Sequence, residues 1–222
     1  MPPRFLLFVS PTSSIGAGSR QREISNAIMI QIINTGVANI RSLEAAFDRL
    51  QQPWQLTEDA DQIAEAAHVV LPGVGAFAAA AAALDRLQLR PAVADRVQSD
   101  RPLLCICLGM QLLGSSSEEA PGTLGLGIIP HQIKRFSDQV PVPQLGWNEV
   151  VPRDPGPFAS GMAYFANSYR LTEAPEGWSV ALTQYDGEFV SSIWRGRTIA
   201  CQFHPELSGN WGQQLLKTWC EM

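Results

Sequence analysis

Charge is scarce in this 222-residue chain. Asp, Glu, Lys and Arg together make up 17% of it, against roughly 25% in an average soluble protein. The basic side is the poorer one, with 16 Lys and Arg against 21 Asp and Glu and a net charge of −5. Without Lys/Arg clusters little is available to neutralise a phosphate backbone, so nucleic acid is not an expected partner. No apolar run approaches the roughly 20 residues of a membrane span, so no membrane contact is expected and the location read from the sequence is cytoplasmic. Low charge beside 45% hydrophobic content excludes a disordered chain and points to a compact apolar interior. Histidine is rarer still: His68, His131 and His204 are the three in the chain, beside four cysteines, Cys105, Cys107, Cys201 and Cys220. Cys105 and Cys107 are spaced one residue short of a C-x-x-C pair and have no second Cys/His pair near them, which argues against a metal or redox pair. No metal and no cofactor are expected.

The first 28 residues differ in texture from the rest, with three Arg, one Glu, five Ser and the short apolar run Phe5 to Val9. They read as an extension outside the fold, either a disordered tail or a product of a start upstream of Met29; the composition loosely resembles an organelle transit peptide. The expected domain is 29–222. From Met29 strand and helix patterns alternate. Ile30 to Ile33 is a buried strand, Asn39 a helix N-cap, and Ile40, Leu43, Phe47 and Leu50 one helix face. His68 to Leu71 is a second strand, Phe77 to Leu87 an alanine-rich helix, Pro91 to Val97 another helix and Leu103 to Ile106 a third strand. Such alternation gives parallel crossovers and a sheet covered on both faces. After about residue 120 Gly and Pro become frequent and short β-like runs appear at Trp178 to Gln184, Phe189 to Trp194 and Thr198 to Phe203, before a closing helix at Trp211 to Trp219.

Cys107 stands where a buried strand runs into a helix, with Gly109 two residues on. That is the arrangement of a nucleophile elbow, which exposes one side chain at the carboxyl end of the sheet. The helix N-terminus favours thiolate over thiol, and the Leu108 N–H is placed to stabilise an oxyanion. Of the histidines, His204 alone ends an apolar run and is followed by Pro205-Glu206. An extended backbone through Pro205 places Glu206 beside the ring, to hold the tautomer that leaves its other nitrogen facing the thiol. Leu71-Pro72-Gly73-Val74-Gly75 lets the backbone come close to a ligand, although its spacing is not that of a phosphate-binding loop.

Taken in order, Pro72-Gly73-Val74-Gly75, Cys107-Leu108-Gly109-Met110-Gln111, Val142-Pro143-Gln144-Leu145-Gly146-Trp147-Asn148 and Phe203-His204-Pro205-Glu206 make the chain from Met29 onward resemble the triad-type (class I) glutamine amidotransferases. Within them the resemblance is to the glutaminase subunits of imidazole glycerol phosphate synthase, in histidine biosynthesis. It implies a flavodoxin-like three-layer α/β domain, with a mainly parallel central sheet and a β-rich C-terminal half. It implies a Cys107-His204-Glu206 triad that hydrolyses L-glutamine through a γ-glutamyl thioester, an oxyanion hole from the backbone of Val74 and Leu108, and substrate held by Gly75 and Gln111. It also implies a heterodimer with a barrel-type cyclase subunit that receives the ammonia, with Asn39, Pro143, Trp147 and Asn148 at the interface. Several positions depart from that family: Cys105 stands where glycine is usual, Gln144-Leu145 and Asn167 replace His-Met and His, and Leu207 replaces Lys. These departures leave open a paralogue feeding another synthase, or a weakly active regulatory module.

Overall fold

The computed structural model describes residues 28–36, 40–73 and 75–222. The expected N-terminal extension up to residue 27, the proposed cap Asn39 and the oxyanion-hole candidate Val74 lie outside these.

The first half lays down strand and helix in turn: β1 (Ile30–Ile33), α1 (Arg41–Arg49), β2 (Trp54–Thr57), α2 (Ala60–Glu65), β3 (His68–Leu71), α3 (Phe77–Arg86), α4 (Arg90–Gln98), β4 (Leu103–Ile106) and α5 (Leu108–Leu112). All four residues of β1, β3 and β4 are buried, as continuous apolar runs must be when helices cover both faces. The second half adds β5 (Ser116–Ser117), β6 (Gln132–Arg135), β7 (Gln144–Pro152), β8 (Gly161–Asn167), β9 (Tyr169–Arg170), β10 (Ser179–Gln184), β11 (Glu188–Arg195), β12 (Thr198–Cys201) and α6 (Gly209–Cys220).

Nine strands form one sheet in the order β2-β1-β3-β4-β12-β11-β10-β7-β8. The first five are parallel, and numbered among themselves they run 2-1-3-4-5, the flavodoxin-like order. Within the β-rich C-terminal half, β5, β6 and β9 form a small second sheet, and the rest adds no separate layer. It continues the large sheet with antiparallel pairings from β12 outward, so half of the sheet is antiparallel. One apolar core packs α3, α4 and α5 on one face and a second packs α1 and α6 on the other, giving three layers. The alanines of α3 keep that helix close to its neighbours: Ala80, Ala81 and Leu84 are buried with Phe77.

Arg96 on α4 is fully buried. Its guanidinium donates to the carbonyls of Ile63 (2.8 Å), Ala66 (2.9 Å), Ala67 (3.1 Å) and Pro102 (2.7 Å). One side chain thereby ties the end of α2 to the entries of β3 and β4.

Two expectations are corrected. Gln144 to Asn148, where no strand was expected, are the start of β7, paired with β8 from Gln144↔Asn167 onward. Gly146 hid the strand: it breaks the apolar alternation and takes φ +131°, a backbone region that favours glycine. The backbone after His204 is not extended either, because Pro205–Leu207 form a 3-10 turn.

Candidate active site

The carboxyl ends of β3, β4 and β12 meet at one rim. Cys107 stands between β4 and α5 with φ 51° and ψ −109°, a sterically costly conformation for a residue with a Cβ and typical of nucleophile turns. Its N–H donates to the Cys201 carbonyl at 2.7 Å and its carbonyl accepts from Gln111 N–H at 3.2 Å, which pins the turn to β12 and to the first turn of α5. Backbone packing leaves no room for side chains beside it: a Cβ on Gly73 would run into the Gly109 nitrogen, and one on Gly109 into the Leu71 carbonyl. These two glycines bring the loop after β3 against the elbow.

His204 follows β12, its N–H donating to the Tyr164 carbonyl at 2.9 Å. Ring Nδ1 lies 2.8 Å from Glu206 Oε1, and both side chains are at least nine-tenths buried. The 3-10 turn, rather than an extended run, swings Glu206 back onto the ring. Ser208 braces this turn: its hydroxyl donates to the His204 carbonyl at 2.6 Å and accepts from Tyr164 N–H at 2.9 Å. Burial opposes charge on the imidazole, but hydrogen bonds with Cys107 and Glu206 outweigh it and hold the pKa up, to about 10. With Nδ1 committed to Glu206, Nε2 is left for the sulfur, and the ring stays protonated through neutral pH.

The other thiols are different. Burial pushes Cys105 and Cys201 well above the ordinary thiol range and Cys220 up to about 12, so none of them is a thiolate at neutral pH. Cys105 packs into the core on the opposite side of the sheet from Cys107. Among the described residues no group of His, Cys, Asp and Glu could hold a metal ion, and no helix is long and apolar enough to cross a membrane.

A cavity of about 250 Å³ opens over Cys107, bordered by Gly73, Gly75, Leu108, Gln111, Glu119, Asn167, Tyr169 and His204. Six of the residues singled out in the sequence thus gather here: Cys107, His204, Gly75, Gln111 and Leu108 at the cavity, and Glu206 behind His204. Glu119 and Tyr169 also border the cavity, and Gln202 reaches Cys107 and Gln111 beneath it; no role was read for these three from the sequence. Glu119 Oε1 accepts from the Phe77 N–H at 3.1 Å, across the start of α3. Only the β5-to-β6 connection brings it there, so no spacing rule could have found it.

Pro143, Trp147 and Asn148 lie outside the cavity. Trp147 is 54% exposed, its ring edge-on to Tyr164 at 6.1 Å. Asn148 Nδ2 donates to the Gln184 carbonyl at 2.9 Å, joining β7 to β10, and Pro143 is exposed. Register places Leu145, Trp147 and Met162 on one face of the β7-β8 pair. With Leu207 on the turn after His204, all four are exposed. His68, at the opposite end of its strand, is buried with its ring edge-on to Trp219 at 5.0 Å. His131 lies 3.7 Å from Glu173, away from the site.

A cysteine elbow facing a buried His-Glu pair at the rim of a flavodoxin-like sheet is the arrangement of a cysteine amidohydrolase, and the family comparison agrees. Residues 29–221 match the model of the class-I glutamine amidotransferases, and the chain belongs to that family. More narrowly, it is 40% identical over 198 residues to the imidazole glycerol phosphate synthase subunit HisH of Moorella thermoacetica, covering 87% of this chain and 94% of that one. It is 39% identical to the subunit of the same name from Oceanobacillus iheyensis, covering 87% and 99%. Among solved structures, one described as a glutamine amidotransferase superposes with a TM-score of 0.71 at 18% identity, covering 86% of this chain and 97% of the other. The PurLQS structure from Thermotoga maritima gives 0.68 at 14%, covering 88% and 98%. At these identities the structures bear on the fold alone.

Proposed function

We propose that this chain is the glutaminase subunit of an imidazole glycerol phosphate synthase, hydrolysing L-glutamine and passing the ammonia to a barrel-type cyclase subunit in histidine biosynthesis. The working unit is 29–222. The observation that carries the chemistry is the convergence of Cys107 and the 2.8 Å His204–Glu206 pair at one cavity.

The Cys107 thiolate attacks the side-chain amide carbon of glutamine, and the carbonyl electrons move onto oxygen. The Leu108 N–H, with the backbone around Val74, stabilises that oxyanion. His204, already protonated, gives its proton to the amide nitrogen as the C–N bond breaks. Ammonia leaves and a γ-glutamyl thioester remains. Water then attacks the thioester with His204 taking its proton, and glutamate departs as Cys107 regains the sulfur electrons. Glu206 keeps the ring oriented and stabilises its charge in both steps. Gly75 allows the substrate to lie against the backbone. Gln111 spends its amide nitrogen on Tyr169 and Gln202 (3.2 and 2.9 Å), which leaves its carbonyl oxygen to accept from the substrate's α-ammonium, beside the Glu119 carboxylate.

The exposed apolar face around Trp147 is where the cyclase subunit docks, and Pro143, Asn148 and Asn39 are assigned to the same interface. A glutamine analogue carrying an electrophile at the γ-position tests the assignment: it should modify Cys107 alone. Modification of Cys105 instead, or none at Cys107, contradicts it.

A further inference from the structure

Gln202 is 1% exposed and stands two residues before His204. Past the end of β12 the chain bends at Gln202 and Phe203, and the side chains of Gln202 and His204 both reach the elbow. Gln202 Nε2 lies 3.5 Å from Cys107 Sγ, while its Oε1 accepts from Gln111 Nε2 at 2.9 Å. Which end of an amide faces which neighbour follows from the network around it, and here the network has a fixed end. The Tyr169 carbonyl can only accept, and it does so from Gln111 Nε2 at 3.2 Å and from Asn167 Nδ2 at 3.0 Å. Gln111 must therefore present its NH2 group on that side, and the same group supplies the second N–H to Gln202. Gln202 must in turn accept with its oxygen, which leaves its own NH2 facing the sulfur.

We propose that Gln202 is a further catalytic residue: its side-chain amide donates a hydrogen bond to the Cys107 sulfur, held in that sense by a relay from the Tyr169 carbonyl through Gln111. The proposal rests on Cys107 being the glutaminase nucleophile. A thiolate is a far better acceptor than a thiol, so a fixed N–H donor selects the reactive form. The titratable groups around the sulfur are His204 and Glu206 after β12, Cys201 at its end, Cys105 on β4 and Glu119 across the cavity. Among the described residues at the sulfur, His204 supplies a charge that depends on pH. Gln202 supplies a donor that does not, because a backbone carbonyl rather than a proton sets its direction. If Gln202 only propped Gln111 for substrate binding, its loss would raise KM and leave thiol ionisation alone.

The test is the rate of Cys107 alkylation by iodoacetamide as a function of pH, read at the Cys107 peptide by mass spectrometry, with no glutamine or partner present. Gln202→Met keeps the bulk and removes the donor; Gln202→Glu keeps the shape and turns an anion toward the sulfur. The midpoint should move to higher pH in Gln202→Met and further in Gln202→Glu, lowering the rate on the acid flank by about tenfold or more, as expected for a hydrogen bond to a charged group. An unmoved or lowered midpoint in a variant that keeps its near-ultraviolet circular dichroism overturns the proposal, as does a uniform fall in rate at all pH. In the wild-type protein a Gln202 side-chain N–H resonance must follow Cys107 ionisation, a requirement that depends on no variant folding. Failure of the glutaminase reading looks different, since there Cys107→Ala would keep glutamine hydrolysis whatever the alkylation profile.

Discussion

At the scale of single residues, the site turns on one proton. Among the described residues, His204 is the cationic side chain that hydrogen-bonds the sulfur. Its folded pKa of about 10 lies above the ordinary 6.5, so the stabilisation it contributes is full below the lower value and is lost as pH rises through the upper one. Glu206 is one of the two groups holding that pKa up. In Glu206→Gln the alkaline limbs of both kcat and unfolding free energy should move to lower pH, and kcat should fall by about 10²-fold, the usual size of an acid–base contribution. An alkaline limb unchanged from wild type would contradict the role given to this pair. Cys105, which departs from the family's glycine, does not share in this chemistry, because it is buried on the other side of the sheet and its thiol is pushed up by burial.

The meeting of Cys107 and His204 at one cavity was legible because each sits inside a local pattern, an elbow and a strand end, and the place of Gln111 followed from the family resemblance. The places of Glu119, Tyr169 and Gln202 were not legible, because they act from a crossover loop, a two-residue strand and an amide network. None of these has a sequence period. The His204–Glu206 contact was anticipated for the wrong reason, since a 3-10 turn and not an extended backbone makes it.

At the scale of elements, the parallel strands and their helices were readable from apolar runs and helical spacing. The edges of the sheet were not. β2 has two exposed residues and lacks the run that marked β1, β3 and β4, and β7 alternates around glycine and asparagine. α2 is six residues long and begins at an Asp59 cap that accepts from Asp61 N–H at 2.8 Å and Gln62 N–H at 3.3 Å, too short a helix to show a period. It is tied to the sheet by Arg101 and by Arg96, whose pattern position on α4 gave no hint of a buried guanidinium holding four carbonyls. Arg96→Leu should lower the unfolding free energy in denaturant by about 3 kcal/mol or more, since it removes four hydrogen bonds and only the Ala66 and Pro102 carbonyls keep another donor, Arg101 and the Val69 N–H. A loss under about 1 kcal/mol would show that water replaces the guanidinium there.

At the scale of the whole molecule, one sheet joins the candidate site to the exposed apolar face. Its parallel half builds the elbow, and its antiparallel half, through β8 and the Tyr164–His204 bridge, links the catalytic turn to the exposed Trp147 face. If that face docks the cyclase subunit, Trp147→Ala should weaken the complex by about 2 kcal/mol or more, as truncating a central aromatic anchor does. Titration calorimetry of the two subunits measures this. Glutamine hydrolysis by the isolated subunit would then be little changed by the substitution; unchanged affinity would move the interface elsewhere.

The most direct test of the central claim is glutamine-dependent synthesis of imidazole glycerol phosphate by the reconstituted complex, compared between wild type and Cys107→Ala. The variant should lose glutamine-dependent activity while ammonium salts still support synthesis. Glutamine-dependent synthesis retained by Cys107→Ala would contradict the assignment of Cys107 as the nucleophile.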